Sequence, residues 1–245
     1  MRRRRGEIEL RSIERVLSAA QRAGHRTLTE PETKRLLTLA GISVPSEQVV
    51  TSAAEAVRVA SRMGFPVVLK VVSRDLPHKT DVGGVQLDVR SRDAVRGAYH
   101  TMIARVRRAA RSARIEGVLV QPHLHGREVI VGATHDPQLG PVLVFGLGGT
   151  AVEVMGDVAF RVVPIDVREA RQMLREIRTA PLLNGYRGAP AVSVESVMRT
   201  LMSVSRLMTA FPHIIREIEI NPLLVTENAA IAIDAMAVVA GAPRG

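Results

Sequence analysis

The spacing of apolar residues predicts an amphipathic helix from about Glu7 to Arg22, closed near Gly24. A second helix is expected from the capping box Thr29-Glu30-Pro31-Glu32 to Gly41. A short strand at Glu47 to Val50 leads into another box, Ser52-Ala53-Ala54-Glu55, and a helix ending at Gly64. Pro66 to Val72 then reads as a buried strand, Val85 to Val89 as its neighbour, and Asp93 to Ala113 as a long arginine-rich helix. After Gly117 the pattern shortens to strand-like runs at Val118 to Gln121, Glu128 to Ala133, Pro141 to Phe145 and Phe160 to Val163. Helices over about Val167 to Ile177 and Ser193 to Phe211 precede a terminal hairpin. With no long linker, the expected division is 1–25 as helix and basic tip, 26–120 as a first lobe and 121–240 as a second.

The strand at Pro66 to Val72 breaks its own pattern, because Lys70 sits among valines and a leucine. The following loop carries His78 and Lys79 and closes on Gly83-Gly84, a combination suited to cradling phosphate beside a nucleophile. Composition sharpens this. The chain has three lysines, Lys34, Lys70 and Lys79, and arginine supplies nearly all other positive charge. Two lysines in one short segment point to a need for compact ammonium groups.

The net charge of +10 would permit phosphate contacts, but an aromatic fraction of 2% argues against base stacking. No nucleic-acid partner is expected, and Arg2 to Arg5 read as a solvated, disordered tip. No apolar run approaches the roughly 20 residues of a membrane span, so a cytoplasmic protein without a membrane partner is expected. The absence of cysteine excludes disulfides, thiolate metal sites and cysteine nucleophiles.

In the terminal hairpin Glu217, Glu219 and Asn221 alternate with isoleucines and share one face; Ala230, Ala232 and Asp234 are expected to share a face of the returning strand. A two-residue turn at Glu227-Asn228 pairs Thr226 with Ala229 and sets Asn221 across from Asp234. Cross-strand neighbours on one face lie about 4.5–5.5 Å apart at Cβ. That spacing fits a shared Mg²⁺ and equally a polar outer face, and Pro222 limits pairing on one side. Glu128 suits ribose hydroxyls or an exposed strand position, and Gly146-Leu147-Gly148-Gly149 suits a phosphate approach or a simple turn. His123 and His125 lack a third ligand at metal-binding spacing.

Together Leu28 to Glu32, Pro66 to Lys70, Leu76 to Val85, Glu128 to Gly132, Pro141 to Asp157 and Glu219 to Leu223 with Asp234 resemble the ATP-grasp β subunit of ADP-forming acyl-CoA synthetases, related to succinyl-CoA synthetase. The resemblance implies an α/β ATP-grasp fold, with lobes of α+β type clamping ATP or ADP. It places Lys70, Lys79, Gly83, Gly84, Val120, Gln121 and Glu128 at the nucleotide, and Asn221 with Asp234 at Mg²⁺. His78 and Glu219 become the catalytic residues, with His78 matching the loop histidine that carries phosphate to ADP. The implied partner is a CoA-binding α subunit, in an α2β2 assembly, since no Rossmann glycine fingerprint for CoA occurs here. Pro122 stands where related proteins often carry an acidic hinge residue, which leaves adenine contacts to backbone near Val120 and Gln121. The competing readings are a regulatory module of a protein acyltransferase, a carboxylate–amine ligase and a basic nucleic-acid binder.

Overall fold

The computed structural model describes residues 2–148, 156–186 and 190–241, with side chains from residue 9 onward. In chain order the elements are α1 (Arg2–Arg22), β1 (Thr27–Leu28), α2 (Glu30–Leu39), β2 (Gln48–Val50), α3 (Ala53–Met63), β3 (Val67–Val72), β4 (Val85–Val89) and α4 (Arg92–Ala109). There follow β5 (Gly117–Pro122), β6 (Arg127–Asp136), β7 (Gly140–Leu147), β8 (Val158–Val162), α5 (Val167–Glu176), a 3-10 turn (Ala180–Asn184), α6 (Val194–Ala210), β9 (Ile215–Val225), β10 (Ala230–Ala232) and β11 (Ala235–Val239). The backbone is helical from Arg2, so the expected disordered tip is replaced by an extension of α1.

The chain forms two compact units, 45–124 and 1–44 with 125–245. The smaller has one antiparallel sheet ordered β2-β5-β3-β4. Its core joins Val59 of α3 and Met102 and Val106 of α4 to Leu69, Val71 and Val118 of the sheet. Serine caps start both helices: Ser52 and Ser91 accept the amides of Glu55 and Ala94 at 3.2 Å.

The larger unit has an antiparallel sheet ordered β1-β11-β9-β6-β7-β8, with β10 paired to β9. Leu17, Leu36, Met173 and Leu201, from four helices, pack with Val131, Phe145 and Ile218 on one face of it. Here the division departs from that expected from sequence, because residues 1–44 belong with 125–245. The cause is long-range pairing: Thr27 and Leu28 lie opposite Val238 and Ala237, and Leu36, Leu37 and Ile42 enter the same core. The capping box of α2 forms as expected, with the Thr29 amide donating to Glu32 Oε2 at 2.8 Å.

That helix also buries an ion pair one turn long. Lys34 Nζ lies 2.8 Å from Glu30 Oε1, with the side chains 1% and 4% exposed. A buried charge deprived of its partner costs about 3–5 kcal/mol, so this lysine has a structural role that its scarcity alone did not reveal.

Candidate functional site

In the smaller unit β3 is central and buried along its whole length, and its alternation separates two faces. Val67, Leu69 and Val71 point into the core with α3 and α4. Val68, Lys70 and Val72 therefore occupy the opposite face, where Lys70 pairs with Leu119 and Val68 with Gln121. Lys70 is 3% exposed and Gln121 fully buried, so an ammonium group and an amide share one shielded face. Val120 points the other way into the core, so only its backbone can meet a ligand, and the β2 ladder stops opposite it at Gln48.

The loop after β3 is fastened at both ends and presents its middle. Leu76 enters the core, and the Asp75 carboxylate accepts the Arg114 amide at 2.8 Å. At the far end the Gly84 amide donates to Lys79 O at 2.7 Å, and Gly84 O accepts the Val71 amide at 2.8 Å. The Asp81 and Gly83 amides donate to His78 O and Thr80 O, closing a tight turn. His78 stands exposed at this turn, with Lys79 half-buried beside it.

The glycine pair has a packing reason in the same turn. Gly83 has φ +66°, and a Cβ there would lie 2.1 Å from Arg105 Cδ. A Cβ on Gly84 would lie 2.5 Å from Val71 Cγ1 and 2.9 Å from Lys79 O. Arg105 is thus a cation against the loop that carried no local sequence signal, since it belongs to a helix with many arginines.

In the larger unit the hairpin register is the expected one. The Thr226 amide donates to Ala229 O at 2.8 Å, Ala230 and Ala232 pair with Val225 and Leu223, and the Asn221 amide donates to Asp234 O at 3.1 Å. Asn221 Nδ2 donates to Glu219 Oε1 at 3.1 Å, which places the two side chains together. The amide oxygen of Asn221 is then the end left to act as a ligand.

The facing of the β10 residues departs from expectation. Ile218 and Ile220 are core residues, but so are Leu223, Val225, Ala230 and Ala232. The alternation therefore slips by one residue at Asn221-Pro222. The partner strand shows why: Val129 pairs with Leu223 and Val131 with Ile220, so two β9 residues oppose Ile130 alone. This bulge sits where proline has no amide to give β6, and it turns Ala230 and Ala232 into the core.

Glu128 is exposed at the start of β6, and its carbonyl accepts the Gly148 amide at 2.8 Å. A Cβ on Gly148 would lie 2.8 Å from Glu128 Cβ, so close packing requires this glycine; Gly149 lies outside the described residues. His123 Nδ1 is 3.5 Å from Asp88 Oδ1.

Asp157, at the end of a segment carrying the resemblance, accepts the Arg178 amide at 2.7 Å, the Thr179 amide at 2.9 Å and the Thr179 hydroxyl. Burial acts to raise its carboxyl, but these hydrogen bonds outweigh burial and hold it below the ordinary value of 3.8. The stability it confers is therefore present above the unfolded-state value and is lost as pH falls through the folded one. Asp157→Asn is expected to lower unfolding stability by about 1–3 kcal/mol at pH 7, with the gap to wild type closing below about pH 4. Urea titrations at pH 7 and pH 3 check this; a pH-independent gap contradicts it.

The ATP-grasp domain family matches residues 19–239. Over 215 residues the chain is 42% identical to subunit beta of acetate–CoA ligase [ADP-forming] I from Pyrococcus furiosus, covering 87% of this chain and 92% of that one. The chain is an ATP-grasp protein of the ADP-forming acetate–CoA ligase β-subunit family. Its structure is similar to that of Ca. Korarchaeum cryptofilum acetyl-coenzyme A synthetase 1 in complex with coenzyme A and Ca-AMPCP, with TM-score 0.88 and 38% identity, covering 91% and 98% of the two chains. A second structure of that enzyme, with coenzyme A and Mg-AMPPCP, has its phosphohistidine segment pointing towards the nucleotide binding site. It matches with TM-score 0.80 and 34% identity, over 93% of this chain and all of that one.

The ATP-grasp hairpin fits a hard cation. Asn221 offers an amide oxygen, with Asp234 across the ladder and the Glu219 carboxylate adjoining. Among the described residues no three His, Cys, Asp or Glu side chains group to hold a metal by themselves. Magnesium tolerates such a sparse set because it retains water and takes substrate phosphate oxygens.

Proposed function

We propose that this chain is the nucleotide-binding β subunit of an ADP-forming acyl-CoA synthetase, taking acetyl-CoA or a related thioester. It works with a CoA-binding α subunit in an α2β2 assembly in the cytoplasm. The net reaction is acyl-CoA + ADP + phosphate ⇌ carboxylic acid + CoA + ATP. The observation that carries this reading is the His78 loop: anchored through Leu76 and Asp75 at one end and Gly84 at the other, it leaves an imidazole exposed at a fixed turn. The phosphohistidine segment of the Korarchaeum relative supports the same role for His78.

In the step assigned here, a terminal oxygen of the ADP β-phosphate attacks phosphorus carried on His78. The N–P bond breaks, and its electron pair returns to the ring nitrogen. Lys70 and Lys79 supply positive charge to the phosphates, and Glu128 accepts hydrogen bonds from ribose hydroxyls. Backbone groups at Val120 and Gln121 meet the adenine, while the Gly83-Gly84 turn lies against the phosphates. Asn221 and Asp234, with Glu219 ordering Asn221, would hold Mg²⁺, which would supply positive charge to the phosphates.

Reconstitution tests the reading: with a CoA-binding α subunit, ATP should form from acetyl-CoA, ADP and phosphate. ATP-dependent ligation of an amine by this chain alone would overturn it. A second expectation concerns Lys70, which is 3% exposed and offers a compact ammonium where arginine would present a larger planar fork. Lys70→Arg is expected to raise the calorimetric Kd for ADP at least about tenfold, through overpacking and loss of a point charge. An unchanged Kd removes Lys70 from the nucleotide site.

A further inference from the structure

In the smaller unit, α3 and α4 pack side by side and border a groove of about 600 Å³. Arg58 and Arg62 line it from α3, and Arg92 and Arg96 line it from α4. Each pair is spaced i,i+4, which puts like charges together on one helix face and costs stability in isolation. Two of the four use neutral partners: Arg62 Nη2 donates to Gln48 Oε1 at 3.1 Å, and Arg92 Nε to Ser61 Oγ at 3.0 Å. Among the described residues only Arg96 of the four pairs with a carboxylate, Asp93 at 2.9 Å, and that side chain is 94% exposed. Glu55 also lines the groove, but its Oε2 accepts the Thr51 amide at 3.0 Å.

Four arginines thus line one groove against a single lining carboxylate, Glu55. The first turn of α4 adds its helix-terminal positive potential at Arg92, with Asp93 as the acidic residue in that turn. The Ser61–Arg92 bond links the two helices and orients Arg92.

We propose that this groove is a second anion site that takes a short inorganic polyphosphate chain. Guanidinium groups recognise phosphate oxygens in pairs, and four of them match a ligand carrying several charges along its length. Among the described residues no aromatic side chain lines the groove, which therefore offers no platform for a base. That favours a bare phosphate chain over a nucleotide. The groove is bordered by α3 and α4, which pack on the sheet face opposite Lys70, so it is distinct from the Lys70 face of this unit.

Calorimetric titration of the full-length protein with sodium tripolyphosphate, in metal-free buffer with excess ADP occupying the nucleotide site, tests this. Wild type is expected to bind at one site, with affinity falling steeply as salt rises. Arg58→Gln/Arg96→Gln is expected to weaken binding at least tenfold. Arg168→Gln/Arg171→Gln, which removes the same charge from exposed positions on α5, is expected to leave it within twofold. Absence of saturable binding overturns the proposal, as does equal weakening by the two double variants, which would mark a bulk charge effect. A stoichiometric complex with ADP in the groove, seen as a second ADP site lost in Arg58→Gln/Arg96→Gln, would overturn the choice of a bare phosphate chain.

Discussion

His78→Ala, assembled with its α subunit, is expected to lose ATP synthesis from acetyl-CoA, ADP and phosphate by more than about a thousandfold. A missing covalent carrier leaves no alternative path for the phosphoryl group, so the loss falls on kcat/KM as a whole. Binding of ADP should stay within about twofold. The exposed imidazole supports nothing beneath it, whereas Leu76, Asp75 and Gly84 fasten the loop. Steady-state assays paired with calorimetry separate the two effects. Activity within about threefold of wild type ends the carrier role, and a parallel loss of ADP affinity would make His78 a binding residue.

The second large effect concerns Asn221 and Asp234. Their backbones are joined by a 3.1 Å hydrogen bond, and the Asn221 side chain is oriented by Glu219. Two ligands of one ion are energetically coupled, because losing the first already dismantles the set. Each alanine variant is expected to raise the Mg²⁺ concentration for half-maximal activity by about tenfold or more. The double variant should cost clearly less than the product of the two single effects. Strict additivity in Mg²⁺ titrations would assign the two residues to different ions or to none.

The Asn221–Asp234 register was legible because a hairpin is local: a two-residue turn at Glu227-Asn228 fixes every pair behind it. The facing of its side chains was less so. Pro222 marks a place where pairing fails, but the resulting bulge exists only against β6, a strand some ninety residues away in the chain. The same distinction explains the lobes. Nothing near Thr27 and Leu28 announces that they complete a sheet with Val238 and Ala237 at the other end of the chain. Lys70 stood out because a lysine inside an apolar run has few structural excuses. Lys34 did not, since an i,i+4 acid–base pair on a helix is ordinary until its burial is seen. The sequence suggests phosphate contact for the Gly83-Gly84 pair. Its close packing on Arg105, Val71 and Lys79 adds a second cause that only the tertiary structure supplies.

The central claim is that His78 carries the phosphoryl group, and trapping that species tests it most directly. This chain, with its α subunit, is incubated with Mg²⁺ and ATP labelled at the γ-phosphate, quenched in alkali and mapped by peptide. Label is expected on the segment from Ser73 to Gly84, stable to alkali and lost in acid, absent from His78→Ala and returned to ATP when ADP is added. Label that persists on this chain in His78→Ala, or a wild-type chain that takes up none, would contradict it.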